Sequence, residues 1–309
     1  MKKKILITGG SGFLGSHLAD YLVELGYEVV IYDKNKSKYL NSSQKMIVGT
    51  LDDTNKLKKL LKNINIIYHF AADAELTLST KEPIKILENN FIDTARLLEA
   101  VKNSKNVEHF IFASTIYVSS NKGSIYRVSK HACEMLIEEY RKSFNINYTI
   151  LRFGTIFGTR ATGDNSVVRS LKQAYENKKI MLQGDGEEVR EFIHVTDAAK
   201  AAAMAMNKKY YGENLLITGL NKMKLSELMS IIKEIFNNKI SIKYIGGNKS
   251  HYKFTPYTFK IKPTKKIILD SYRDMGESLI EILDEFESIK LKKKNDWCSI
   301  QLKGDIKWK

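Results

Sequence analysis

Short, continuous apolar runs alternate along this chain with longer amphipathic stretches. The runs KILIT (4–8), EVVIYD (28–33), KMIV (45–48), IIYHF (66–70), EHFIFA (108–113), NYTILR (147–152) and NLLI (214–217) are mostly apolar throughout rather than alternating. That is the pattern of strands buried on both faces. Helical periodicity falls near 13–25, 54–62, 84–103, 126–143 and 196–207. Strand and helix in strict succession predict an α/β fold, a doubly wound parallel sheet with right-handed crossovers. After about residue 218 the rhythm changes: helices near 224–237 and 276–288 flank a polar, strand-like stretch around 240–270. The expected division is a sheet domain over 1–165, to which 189–218 returns, and a smaller C-terminal lobe built mainly from 166–309. In the tail WCSIQLKGDIKW (297–308), apolar residues alternate about Lys303-Gly304-Asp305, which predicts a small hairpin.

Composition adds boundaries. The 309 residues suffice for a nucleotide domain and a lobe, and 43% hydrophobic against 28% charged residues is the balance of a soluble globular protein. No run reaches the roughly 18 apolar residues of a membrane helix, and Ile5–Ile7 is too short for an export signal. Cys133 and Cys298 form neither a disulfide framework nor a metal pair, which fits a reducing cytoplasm. The net charge of +15 comes from lysines scattered over exposed helix faces, with one dense run at Lys292–Lys294. No nucleic-acid-binding module accompanies it.

Chemistry enters at TGGSGFLGSHL, where the first strand runs into a helix. Gly9 permits the tight turn, Gly12 lets backbone approach a pyrophosphate, and Gly15 lets helix pack on sheet. The helix N-terminus then faces the phosphates, with Phe13 and Leu14 in its first turn. Asp33 ends the second strand, 18 residues after Gly15. A carboxylate there accepts both ribose hydroxyls and repels a 2′-phosphate, so NAD is expected rather than NADP. Tyr126 and Lys130 are four apart on a helical pattern and share one face. A neighbouring ammonium is expected to lower the phenol pKa and make the tyrosine a general base. The histidines carry no assigned chemistry: His69 lies in a buried strand, His194 reads as structural, and His17 sits behind the phosphate turn.

Together TGGSGFLG, Asp33, HFAA (69–72), Asn90, LLEA (97–100), AST (113–115), YRVSK (126–130), LRFGTIFG (151–158) and GDGEEVREFIHVTDAA (184–199) resemble the extended short-chain dehydrogenase/reductases, specifically the NAD-dependent nucleotide-sugar epimerases and dehydratases. The resemblance implies a Rossmann fold and a homodimer, with polysaccharide-precursor chemistry on a nucleoside-diphosphate sugar. It makes Tyr126 the acid/base, Lys130 the residue that orients the nicotinamide ribose, and Thr115 the holder of the hydroxyl being oxidised. It puts Ser114 beside the nicotinamide, Leu51, Ala71, Ala72 and Asn90 around the cofactor, and Arg190 on the substrate diphosphate. Thr155 stands where the family has an asparagine and Thr159 where it has a proline, while Asp73 and Glu75 sit in the loop that meets the sugar. Thr115 and Tyr126 are only 11 apart, a trimmed connection that implies an open sugar end. The family's dehydratases carry carboxyl residues directly after the Ser/Thr, and its decarboxylases tend to carry an acid there. Here Ile116 and Tyr117 follow. The expected reaction is therefore hydride transfer at C4 by a UDP-sugar C4 epimerase. The alternative is a 4-dehydrogenase releasing a 4-keto sugar, for example from a GDP-linked sugar or heptose. Two rivals remain: a non-catalytic NAD-binding regulator, against which Tyr126 and Lys130 speak, and an NADP-dependent carbonyl reductase, against which Asp33 and Arg190 speak.

Overall fold

The computed structural model describes residues 3–75, 80–120, 122–246 and 265–304, with side chains as far as residue 290. Eight parallel strands form the central sheet. In chain order they are β1 (Lys4–Thr8), β2 (Glu28–Asp33), β3 (Gln44–Val48), β4 (Ile66–His69), β5 (His109–Thr115), β6 (Tyr148–Phe153), β11 (Glu213–Ile217) and β14 (Lys265–Lys266). They lie side by side as β14-β11-β6-β5-β4-β1-β2-β3. The strand pattern of the sequence is thus realised, with Lys265–Lys266 adding an edge strand beyond β11.

The reason the runs are continuously apolar is visible in the packing. Ile5, Ile7, Val29, Ile31, Ile66 and Tyr68 face one core, while their neighbours Leu6, Val30 and Ile67 face the other. The first core is closed by α1 (Phe13–Glu24) and α7 (Val195–Met204), whose alanines Ala198, Ala201 and Ala202 allow close approach. The second is closed by α2 (Thr54–Leu61), α4 (Asp93–Lys102) and α5 (Ser124–Phe144). Burial of this aliphatic surface on both faces is the main stabilising term.

The sequence reads 84–103 as one helix. The structure has α3 (Pro83–Leu87), a π-helical turn at Glu88–Ile92, and then α4. Such a turn frees a carbonyl from the helical ladder. Here the Asn90 carbonyl accepts instead from the Thr94 hydroxyl and the Cys133 thiol.

A third core forms the lobe. It joins Val167 and Leu171 of α6 (Ser166–Asn177), Leu228 and Ile232 of α8 (Leu225–Ile235), and Leu279 and Ile282 of α9 (Met275–Gly304). β8 (Lys179–Gln183) pairs in parallel with β13 (Ser241–Ile245) beside them. Between the two halves run the short strands β7 (Thr155–Phe157), β9 (Val189–Arg190) and β10 (Phe192–His194); β7 and β10 pair in parallel, and β9 pairs antiparallel with β12 (Met223–Lys224). The tail corrects an expectation. No hairpin forms over 297–304, because α9 continues as helix to Gly304, and 305–309 lie outside the described residues. The preceding Glu-, Lys- and Leu-rich run consists of strong helix formers, and extending an established helix is easy. Among the described residues no helix is long and apolar enough to cross a membrane.

Candidate active site

A cleft of about 2020 Å³ opens along the C-terminal ends of the strands and is walled on its far side by the lobe. At its floor β1 ends and the chain turns at Gly9, whose φ of +74° favours glycine. A Cβ at Gly9 would lie 2.5 Å from the Ala71 backbone nitrogen, and one at Gly15 would lie 2.3 Å from the Gly9 carbonyl oxygen. Both glycines are therefore required by backbone packed on backbone. Gly12 forms the N-cap of α1, with no side-chain cap and no acidic residue in the first turn. The helix start thus offers N–H groups and the positive end of its dipole to an anion.

Asp33 is held at the cleft edge from both sides. Its Oδ2 accepts the Ser11 backbone N–H at 3.0 Å and its Oδ1 that of Asn35 at 2.9 Å. A carboxylate has about four lone-pair sites, so two remain for a pair of vicinal hydroxyls. An uncapped glycine turn and a fixed carboxylate are what a dinucleotide's pyrophosphate and adenosine ribose require, and the residues present fit NAD. Phe13, Leu14, Leu51, Ala71 and Ala72 line the same end. Asn90 does not reach the cleft wall. Its side chain accepts the Asp73 N–H and donates to the Asp73 carbonyl and the Ser129 hydroxyl, pinning the loop after β4 to α5.

β5 delivers Ser114 and Thr115 to the opposite wall, and α5 brings Tyr126 and Lys130 beside them. Thr115 Oγ1 accepts the Tyr117 N–H at 3.3 Å, which caps the following turn. Lys130 is 2% exposed. Its Nζ donates to the Ala113 carbonyl at 2.9 Å and lies 4.6 Å from the centre of the Phe112 ring. Burial pushes the Lys130 ammonium down to about 8, a shift that the neighbouring Cys133 and Glu134 side chains oppose. The expected lowering of the Tyr126 phenol is not observed. Burial raises it above its ordinary value, and Lys130 is not among the groups that shift it. The lysine head is spent on a backbone carbonyl, so desolvation of the phenolate wins in the protein alone.

Three histidines near the cleft, His69, His194 and His17, make structural bonds. His69 bonds the Thr8 and Thr94 hydroxyls through its two ring nitrogens, and burial lowers its pKa to about 3. His194 caps α7 through Thr196. His17 contacts the Thr159 carbonyl.

On the lobe side, Thr155 and Arg190 line the cleft, with Asp73 and Glu75 at its loop edge. Asp73 is already engaged: Asn89 donates to its Oδ2 at 2.6 Å and Lys34 stands 3.9 Å from its Oδ1. It therefore belongs to the Asp33 end as much as to the sugar end. The Arg190 guanidinium is buried and donates to the Val189 carbonyl at 3.0 Å. Tyr117, Arg160 and Arg169 complete this wall, and none is singled out for a role there by the sequence. Arg160 is visible only in three dimensions, pairing with Asp20 of α1 at 2.7 Å and stacking on Tyr39.

Fold and cleft together define a dinucleotide-dependent oxidoreductase of the doubly wound type. Residues 5–217 match the model of the NAD dependent epimerase/dehydratase family, and the chain belongs to that family. It is an NAD-dependent enzyme of the nucleotide-sugar epimerase and dehydratase kind. Among curated relatives, the UDP-N-acetyl-alpha-D-glucosaminuronate decarboxylase of Bacillus cytotoxicus is 28% identical, across 89% of this chain and 92% of that one. A putative UDP-glucose 4-epimerase of Methanocaldococcus jannaschii is 30% identical, across 74% and 81%. Among solved structures, the UDP-glucuronic acid 4-epimerase of Bacillus cereus, in complex with UDP-glucuronic acid and NAD, superposes with a TM-score of 0.80. It is 28% identical and covers 93% of this chain and 99% of its own.

Proposed function

We propose that the protein is a C4 epimerase of a UDP-sugar, a cytoplasmic homodimer supplying polysaccharide precursors. The observation that carries the reaction type is the wall after β5. Thr115 and Tyr126 face the cleft together, and the residue two beyond Thr115 is Tyr117, not a carboxylic acid. Dehydration of a 4-keto sugar needs a proton removed from C5 and another delivered to the C6 hydroxyl, work suited to carboxyl groups. With Tyr117 in that place, oxidation and reduction at one carbon remain.

In this reading Thr115 accepts or donates a hydrogen bond at the C4 oxygen and orients it toward Tyr126. Tyr126 takes the hydroxyl proton as C4 becomes a ketone and returns it when the ketone is reduced from the other face. NAD, when bound, would supply the hydride acceptor and, with its ring positive charge, the stabilisation of the Tyr126 phenolate that the protein alone does not provide. Arg190 binds the diphosphate as a planar guanidinium fork. The names of the relatives, two of which are UDP-sugar 4-epimerases, support the UDP and C4 assignments.

Incubation with UDP-, GDP- and dTDP-sugars and NAD, followed by NMR of the products, tests the reading. The expected product is the C4 epimer of a UDP-sugar. A stable 4-ketone would replace the epimerase with a 4-dehydrogenase, the alternative that the Thr155 and Thr159 substitutions favour. A 4-keto-6-deoxy sugar or a decarboxylated pentose would refute it.

A further inference from the structure

A buried charged pair lies beneath the catalytic wall and takes no part in the chemistry above. Tyr126, Lys130 and Glu134 follow each other at single-turn spacing on α5, and Ser114 of β5 is in register with Arg152 of β6. Glu134 is 2% exposed and Arg152 6% exposed. Glu134 Oε2 accepts from an Arg152 terminal nitrogen at 2.7 Å, and its Oε1 accepts from Arg152 Nε at 3.0 Å. The same Oε1 accepts from the Ser114 hydroxyl at 2.6 Å. A lone carboxylate so deep would be strongly penalised, and the guanidinium fork is the partner that compensates its burial.

The polarity of this arrangement has a consequence at the cleft surface. An ionised carboxylate only accepts, so the proton in the Ser114–Glu134 bond is the one that Ser114 carries. A serine hydroxyl has one proton and two lone pairs. With its proton committed inward, Ser114 presents only lone pairs to the cleft that it lines. It can receive a hydrogen bond there but cannot donate one.

We propose that Ser114 is a fixed acceptor for the carboxamide N–H of the nicotinamide, and that Glu134 and Arg152 are positioning residues that set its polarity. A serine free to rotate would serve either end of the carboxamide. A serine locked as acceptor favours the amide nitrogen and so holds one orientation of the nicotinamide group. The inference rests on NAD occupying this cleft and not on which sugar is turned over.

The probe is acetylpyridine adenine dinucleotide, which keeps the ring carbonyl but lacks the amide N–H donors. Its affinity for the wild-type protein, compared with that of NAD by calorimetry, should be weaker by ~5–10-fold, the worth of one hydrogen bond. In Ser114→Ala that difference should vanish, because the acceptor is gone. In Glu134→Gln, whose amide no longer compels the serine to donate, it should shrink. ADP-ribose, which has no nicotinamide, should bind all three proteins alike and shows that the phosphate and ribose contacts are intact. No difference between NAD and the analogue in the wild type, or an undiminished difference in Ser114→Ala, overturns the proposal. Should Glu134→Gln fail to fold, the Ser114→Ala comparison still decides. Failure of the wild type to bind ADP-ribose would instead refute NAD binding itself.

Discussion

On the cofactor side of the cleft, position is set by main chain against main chain. Gly9 packs on the backbone of Ala71, Gly15 packs on the Gly9 carbonyl, and two backbone N–H groups aim Asp33. On the lobe side, position is set by side chains gathered from distant segments: Thr155 from β7, Arg190 from β9, and Arg160 braced by Asp20 of α1 and by the Tyr39 ring. The first kind of wall tolerates almost no change, since a single Cβ would collide with backbone. The second can be rebuilt one side chain at a time. The cleft is thus divided between a fixed wall and an adjustable one.

Four substitutions or titrations sharpen that contrast. The largest effect is expected where the walls meet. Tyr126→Phe removes the proton carrier but keeps the ring, and turnover should fall ~10²–10⁴-fold while NAD affinity holds. Steady-state rates and calorimetry check both halves. On the lobe wall, Arg190→Ala removes a charged hydrogen-bonding fork worth about 1.5–3 kcal/mol. The KM for the nucleotide sugar should rise by about 10–100-fold, since 1.4 kcal/mol is tenfold, with NAD affinity unchanged. An equal loss of NAD affinity would mean that the two walls are not separable. On the cofactor wall, Asp33→Ala should cut the preference for NAD over NADP by roughly tenfold, the worth of a charge-assisted pair of bonds. Titration with both cofactors reads it. The smallest effect is on pH. Lys130, pushed down to about 8, is charged below that value and neutral above it. The ammonium is the active form, so kcat/KM should decline on the alkaline side with a midpoint near about 8, and Lys130→Met should lose that limb. A wild-type profile flat through that region would remove Lys130 from the account.

What the sequence reveals follows the same division. The glycine turn, Asp33 and the Tyr126–Lys130 spacing are local patterns, and the local geometry they dictate is the geometry found. The inner strands of the sheet are legible because both their faces are apolar. The lobe is less so: β8 pairs with β13 far along the chain, and nothing within Lys179–Gln183 announces that partner. The π-helical turn at Glu88–Ile92 is invisible because its apolar residues still fit a helical period. The tail alternates as a hairpin would, yet the helix formers before it carry α9 through to Gly304. For the Tyr126 phenol, spacing shows only that Lys130 shares a face with it, not that the ammonium is turned to the Ala113 carbonyl. Glu134 and Arg152 did leave a signal. An arginine inside an otherwise apolar strand needs a buried partner, and an acid one turn beyond Lys130 was available to be it.

The central claim is that one carbon of a UDP-sugar is oxidised and reduced again in this cleft. The most direct measurement uses a UDP-hexose carrying deuterium at C4, with enzyme-bound NAD and no exchangeable reductant. The account predicts the C4 epimer with deuterium still at C4, and a slower rate than with the unlabelled sugar. An epimer that has lost the label, or turnover that changes C5 or C6 while the C4 configuration stays as it was, would contradict it.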